Sequence, residues 1–223
     1  VVLLEAHRVG FGASGRNGGQ LGSGQRMDQV GLEKLMGDDA ARQLWDLAEE
    51  AKALVRDLVG RHGIDCHLKP GVAWTGSSGS EVDELHRYAA HLSDRYGYDQ
   101  IETLDAAACH ALCPSPDYKG GMLDMGAGHL HPLRFALGLA QAAQKAGARI
   151  FETSHVHHIE RGAPAVVQTD AGRVRADHVI LAANGYLGGL DGGVASRVMP
   201  INNFIVATEP LGDRAAEVLT LPS

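Results

Sequence analysis

Val1-Val2-Leu3-Leu4-Glu5 is followed closely by Gly10-Phe11-Gly12-Ala13-Ser14-Gly15-Arg16-Asn17-Gly18-Gly19-Gln20. Four apolar residues ending in an acid read as a fully buried parallel strand closed by a carboxylate. In a dinucleotide-binding βαβ unit such an acid ends the second strand and hydrogen-bonds ribose hydroxyls. Taken alone, the five residues favour an ordinary strand with an acidic end. The glycines at 10, 12, 15, 18 and 19 shift that balance. They let the backbone approach a ligand closely or take positive φ, and they expose N–H groups that can cradle an anion. Ser14, Arg16 and Asn17 are interleaved among them as polar donors, with Arg16 suited to a bidentate phosphate contact.

Composition narrows the class. The 223 residues are 44% hydrophobic and 21% charged, a globular rather than a disordered balance. The formal net charge of -7 argues against a nucleic-acid binder, which needs a basic stripe to displace counterions. No apolar run reaches the roughly 18 to 20 residues that span a bilayer. Neither is there a basic-plus-apolar leader, so a cytoplasmic location is expected. Three cysteines fit a reduced compartment better than a disulfide scaffold.

Helices and strands follow from periodicity. Leu32 to Val59 carries the three-and-four spacing of an amphipathic helix stopped by Gly60 and Gly63. Gly71–Thr75 reads as a strand. Glu81 to Tyr96 reads as a helix with Ser80 as its N-cap, and Asp105 to Leu112 as a short helix. Gly120 to His131 is expected to be extended. Pro132 to Lys145 shows the Pro-first, Gly-last helix pattern. Arg149–Thr153 is a strand, and 155–160, 165–169 and 173–175 form a meander. Two further strands are expected, a buried one at His178–Ala183 and a final one at Asn203–Thr208.

Leu4-Glu5-Ala6-His7-Arg8 together with the string Gly12-Ala13-Ser14-Gly15-Arg16-Asn17-Gly18-Gly19-Gln20 resembles the FAD-dependent amine and D-amino-acid oxidase family. Within it the string is most similar to the gamma-glutamylputrescine oxidase group. The resemblance implies an α/β fold, with an FAD-binding dinucleotide domain interleaved with an α+β substrate domain. The cofactor domain would comprise 1–67 and 132–188, and the substrate domain 68–131 and 189–223. The family's first glycine-rich turn and its carboxyl-terminal part are expected outside these residues, so the fold is read as truncated at both ends.

The same resemblance assigns the site. Glu5 would bind the adenosine ribose, and Ser14, Arg16, Asn17, Gly18 and Gly19 would lie along the pyrophosphate, ribitol and flavin ring. The main chain of Val156 would meet the adenine edge, and Ala183, Asn184 and Gly185 would approach the phosphates. On the residues alone, Val156 reads as a core valine, and Asn184-Gly185 is as consistent with an ordinary turn. Some family members attach the flavin through a histidine in the early glycine-rich segment. Asn17 stands at that position here, so FAD is expected to be held non-covalently. The implied reaction is oxidation of the C–N bond of an amine or amino acid, with O2 or another electron acceptor. No side-chain acid or base is required, and none is assigned as catalytic. Trp74 and Tyr118 are candidate pocket aromatics, each also consistent with a purely structural role.

Two other classes compete. The chain could be a non-catalytic folding or interaction module. It could also hold a metal, since His129 and His131, and His155 and His157, are spaced to share a strand face. No third ligand stands at a fitting spacing, and Cys109 and Cys113 read as small hydrophobes, so no metal site is assigned. No GxSxG elbow supports hydrolase chemistry.

Overall fold

Residues 1–218 are described by the computed structural model. In chain order the elements are β1 (Val2–Leu4), β2 (Gln20–Leu21), α1 (Gln29–Met36), α2 (Asp38–His62), β3 (Lys69–Gly76), α3 (Gly79–Tyr96), β4 (Ile101–Asp105) and α4 (Ala106–Leu112). They continue with β5 (Gly120–His129), α5 (Pro132–Lys145), β6 (Arg149–Phe151), β7 (Val156–Glu160), β8 (Ala165–Thr169), β9 (Gly172–Ala176) and α6 (Gly192–Ala195). The chain divides into two compact units, each assembled from separate stretches of sequence.

The first unit comprises 1–18, 64–66 and 132–206. Its β1 and β6 pair in parallel, with Leu3 opposite Ile150, and α5 leads into β6. The β7–β8–β9 meander forms a separate antiparallel sheet of three strands. The second unit comprises 19–63, 67–131 and 207–223, of which 219–223 lie outside the described residues. Strand β5 is central to its antiparallel sheet. It pairs with β3 over residues 120–124 and again at 128–129, across a register shift, and with β4 and then β2 in succession along the other edge. This division puts 19–63 with the second unit, whereas the expected cofactor domain ran through residue 67.

Local chemistry sets the helix ends. The expected single helix over 32–59 is two helices, because Gly37 at φ 84 leaves the helical region between α1 and α2. Asp28 caps α1 by accepting from Gly31 N at 2.6 Å. Helix α2 carries Asp38 and Asp39 in its first turn and Arg61 and His62 in its last, in keeping with the helix dipole. The cap of α3 is Ser78, whose hydroxyl accepts from Glu81 N, rather than Ser80. Trp45, Leu92 and Tyr98 form the core of this unit, with Tyr88, Tyr96 and Ile101 against them. Trp45 meets Tyr98 edge-on at 5.1 Å between ring centroids.

Several strand expectations are corrected. Strand β1 forms but is not buried, since Leu3 is 45% exposed and β6 is its only paired neighbour among the described residues. Residues 178–183 and 203–208 are not strands, and Ile180 and Phe204 are largely exposed. An apolar β-branched run becomes a strand only where a ladder partner is available, and no described strand hydrogen-bonds to either segment. Strand β5 ends at His129, so His131 lies beyond it, and His155 likewise precedes β7. Neither expected histidine pair therefore shares a strand. No helix among the described residues is long and apolar enough to cross a membrane.

Candidate cofactor site

The end of β1 is knitted to the segment after β6. Glu5 N donates to Phe151 O at 2.9 Å, extending the parallel ladder by one residue. Its carbonyl accepts from Ser154 N at 2.8 Å, and Thr153 N donates to His7 O at 2.7 Å. The Glu5 carboxylate accepts from His7 N at 2.9 Å through Oε1. Glu152 then reaches across to accept from Val9 N at 2.8 Å. A strand-end acid is thus fixed at the carboxyl end of a parallel pair, where ligands of open α/β sheets collect. Val156 stands two residues past Ser154, half-buried at the start of β7.

The glycine-rich loop folds back tightly on itself. Gly10, Gly12 and Gly15 carry the Gly-x-Gly-x-x-Gly spacing, and here they close on one 3₁₀ turn, Ala13–Gly15, rather than a long helix. A Cβ on Gly15 would lie 2.0 Å from Gly10 O, so no side chain fits there. The Asn17 side-chain amide donates to Ala13 O and Ser14 O, bracing the turn from within. Ser14, Arg16 and Gly18 are exposed, and nothing lies within 4 Å of where a Cβ on Gly18 would be. The turn at 183–185 comes to the same loop. Ala183 O accepts from Tyr186 N, and the Tyr186 ring lies 3.2 Å from a Cβ placed on Gly12. Asn184 takes a left-handed φ of 48, as asparagine does more readily than most residues.

The structure therefore brings Glu5, Ser14, Arg16, Asn17, Gly18, Val156 and 183–185 into one unit. Gly19 belongs to the other unit, where it is buried and its carbonyl accepts from Leu130 N at 2.8 Å. Three participants had no sequence signal of their own. Glu152 acts across 143 positions, while Tyr186 and Phe11 read as isolated aromatics.

The densest group of polar side chains lies elsewhere, inside the second unit. Lys52, 3% exposed, donates to Ser23 Oγ at 2.7 Å, Tyr98 Oη at 3.2 Å and Gly126 O at 3.2 Å. It also faces Glu49 Oε1 at 2.9 Å. Asp124 accepts from Ser23 at 2.6 Å, from Tyr98 at 2.7 Å and from the N–H groups of Gly126 and Ala127. Burial first, and then the Asp124 carboxylate, push the Tyr98 hydroxyl well above the usual phenol range. Among the described residues no three His, Cys, Asp or Glu side chains group as metal ligands.

Comparison with known proteins fits this geometry. The sequence matches the FAD dependent oxidoreductase family over residues 1–222. The chain belongs to that family. It is 40% identical over 220 residues to gamma-glutamylputrescine oxidoreductase of Escherichia coli strain K12, covering 98% of this chain and 51% of that protein. It is 39% identical over 212 residues to the probable oxidoreductase OrdL of Rhizobium meliloti strain 1021, covering 95% and 50%. The chain thus spans about half the length of the curated relatives it matches. The fold resembles glycine oxidase from Geobacillus kaustophilus at a TM-score of 0.64 and 25% identity, covering 83% of this chain and 49% of that one. It also resembles L-alpha-glycerophosphate oxidase from Mycoplasma pneumoniae with FAD bound, at a TM-score of 0.63 and 17% identity, covering 85% and 50%.

FAD is the family's cofactor, and the residues present suit a dinucleotide. A carboxylate sits at a strand end, an exposed cation and hydroxyl stand on a glycine turn, and Gly18 is open to close approach.

Proposed function

We propose that this chain is the part of an FAD-dependent oxidoreductase that holds the cofactor's nucleotide end, in an enzyme oxidising the C–N bond of an amine or amino acid. The supporting observation is the junction of Glu5, the braced glycine turn and the 183–186 turn within one unit. Glu5 would take the adenosine ribose and the Val156 main chain the adenine edge. Ser14, Arg16, Asn17, Gly18 and Gly19 would run along the pyrophosphate, ribitol and ring, with Ala183, Asn184 and Gly185 near the phosphates. In this reading the first unit is the cofactor unit and the second contributes to substrate binding.

Bound FAD would supply the two-electron acceptor. The residues' part is to bind, orient and exclude water. Asn17 already spends its side-chain amide on the turn, which favours non-covalent attachment. The 40% identity to gamma-glutamylputrescine oxidoreductase makes a gamma-glutamylated diamine the first substrate to try, with O2 as one acceptor.

The test is the visible spectrum of the purified protein, with identification of any flavin released on denaturation. Near one FAD per chain supports the reading and opens an amine screen with and without O2. A colourless protein that takes up no added FAD overturns it.

A further inference from the structure

Phe11 has a role in the loop that the assignments above leave unused. Its ring is met by two side chains. The Arg16 guanidinium carbon sits 4.3 Å from the ring centroid, and the His7 imidazole centroid lies 4.1 Å away at an interplanar angle of 36°. The backbone under this stack is held in place. Phe11 N donates to Arg8 O at 3.0 Å, and Arg16 N donates to Ala13 O at 3.2 Å. Val9, two residues before Phe11, is clamped by Glu152. Arg16 itself is exposed, and none of the hydrogen bonds or ion pairs described for the loop restrains its guanidinium.

A long arginine side chain loses rotamer freedom when it is fixed on a ligand. A guanidinium already laid on an aromatic face has lost part of that freedom beforehand. Phe11 is also 42% exposed, which an apolar ring tolerates more readily when polar groups cover it.

We propose that Phe11 is a positioning residue that preorganises the Arg16 guanidinium to receive a phosphate-bearing ligand, with His7 packed at a tilt against the same ring. The proposal rests on the FAD reading of the loop. Phe11 itself makes no bond to the ligand and acts through Arg16.

The experiment is a double-mutant cycle on FAD affinity, read by flavin fluorescence, using Phe11→Leu, Arg16→Gln and the combination. Phe11→Leu weakens binding about three- to five-fold, the scale of one exposed cation–π contact. Arg16→Gln weakens it about ten-fold or more by removing a charge-assisted bond. Adding Phe11→Leu to Arg16→Gln has no further effect, and Phe11→Tyr, which keeps the aromatic face, binds like the wild type. Additive losses in the double variant, or a Phe11→Leu affinity equal to the wild type, overturn the proposal. A second readout is independent of cofactor. The Arg16 Nε–H resonance of the labelled protein is ring-current shifted in the wild type and in Phe11→Tyr, and it returns toward its random-coil position in Phe11→Leu. Wild-type protein that takes up no FAD overturns the cofactor reading. In that case titration with inorganic pyrophosphate decides: a response of the Arg16 resonance that weakens in Phe11→Leu supports the proposal, and no response overturns it.

Discussion

The polar knot around Lys52 and Asp124 and the loop around Arg16 both concentrate charge and hydroxyls, yet they are built in opposite ways. In the knot Lys52 and Asp124 are each met from several sides by protein groups, and both are nearly inaccessible to solvent. In the loop the N–H groups of Phe11, Gly15 and Arg16 are bonded within the turn, while Ser14, Arg16 and Gly18 are exposed. The first arrangement spends its polar groups on one another and secures α2, β5 and the segments bearing Ser23 and Tyr98. The second secures only its frame and leaves its polar side chains exposed. A cluster of titratable side chains with a strongly raised phenol is therefore not a binding site by that fact alone.

The contrast is broken most severely at Asp124. Asp124→Ala leaves the Ser23 and Tyr98 hydroxyls and the N–H groups of Gly126 and Ala127 without their buried acceptor. The expected loss is about 3 to 5 kcal/mol of folding stability, read from urea unfolding. Gly15→Ala probes the loop's frame. With its Cβ placed 2.0 Å from Gly10 O, the turn must open, at about 1 to 3 kcal/mol. FAD uptake should fall away while far-ultraviolet circular dichroism stays at the wild-type level.

Glu5→Gln is milder for the fold and sharper for the ligand. The amide oxygen can still accept from His7 N, so stability should change by less than about 0.5 kcal/mol. FAD affinity should drop about ten-fold, since a charge-assisted bond to the ribose becomes a neutral one. Loss of stability without loss of affinity would place Glu5 with the structural residues.

The smallest effect concerns pH. Partial burial opposes ionisation of Glu33, but hydrogen bonds from Tyr96 at 2.7 Å and His91 at 2.9 Å outweigh it and hold the carboxyl below its usual range. A carboxyl whose pKa is lower in the folded state stabilises fully above its unfolded value. That contribution is lost as pH falls through the depressed folded value. Urea midpoints of Glu33→Gln should therefore differ from wild type near neutrality and converge with it in acid. A constant difference across the range would show that charge is not what Glu33 contributes.

The same contrast explains what could be read from the residues alone. The glycine turn was legible because its chemistry is local. Gly10 to Gly19 and the donors between them are contiguous, and the acid at Glu5 is a few positions away. The helices were legible because α3 and α5 show their apolar faces and stops within a single stretch. What escaped was non-local. No spacing links Glu152 to Val9, or Lys52 to Asp124, so neither the clamp nor the knot could be anticipated. Residues 178–183 and 203–208 were misread for a related reason. Apolar β-branched runs report a capacity to pair, whereas a strand also needs a partner edge, which the described residues do not supply. The break at Gly37 was missed because the amphipathic pattern continues on both sides of it.

The Glu152 clamp also bears on the order of events during synthesis. The loop that begins beside Val9 is made before its anchors, Phe151 O and the Glu152 carboxylate, which follow more than 140 positions later. At the usual elongation rate of about 5 to 20 residues per second, those anchors follow after seconds rather than microseconds. Closing so long a loop carries an entropy cost that contacts nearer in sequence avoid. The second unit's helices and sheet, all encoded between the two halves of the clamp, can therefore be complete while the glycine turn still waits for β6. The glycine turn is translated before its anchors and takes its final shape only after them.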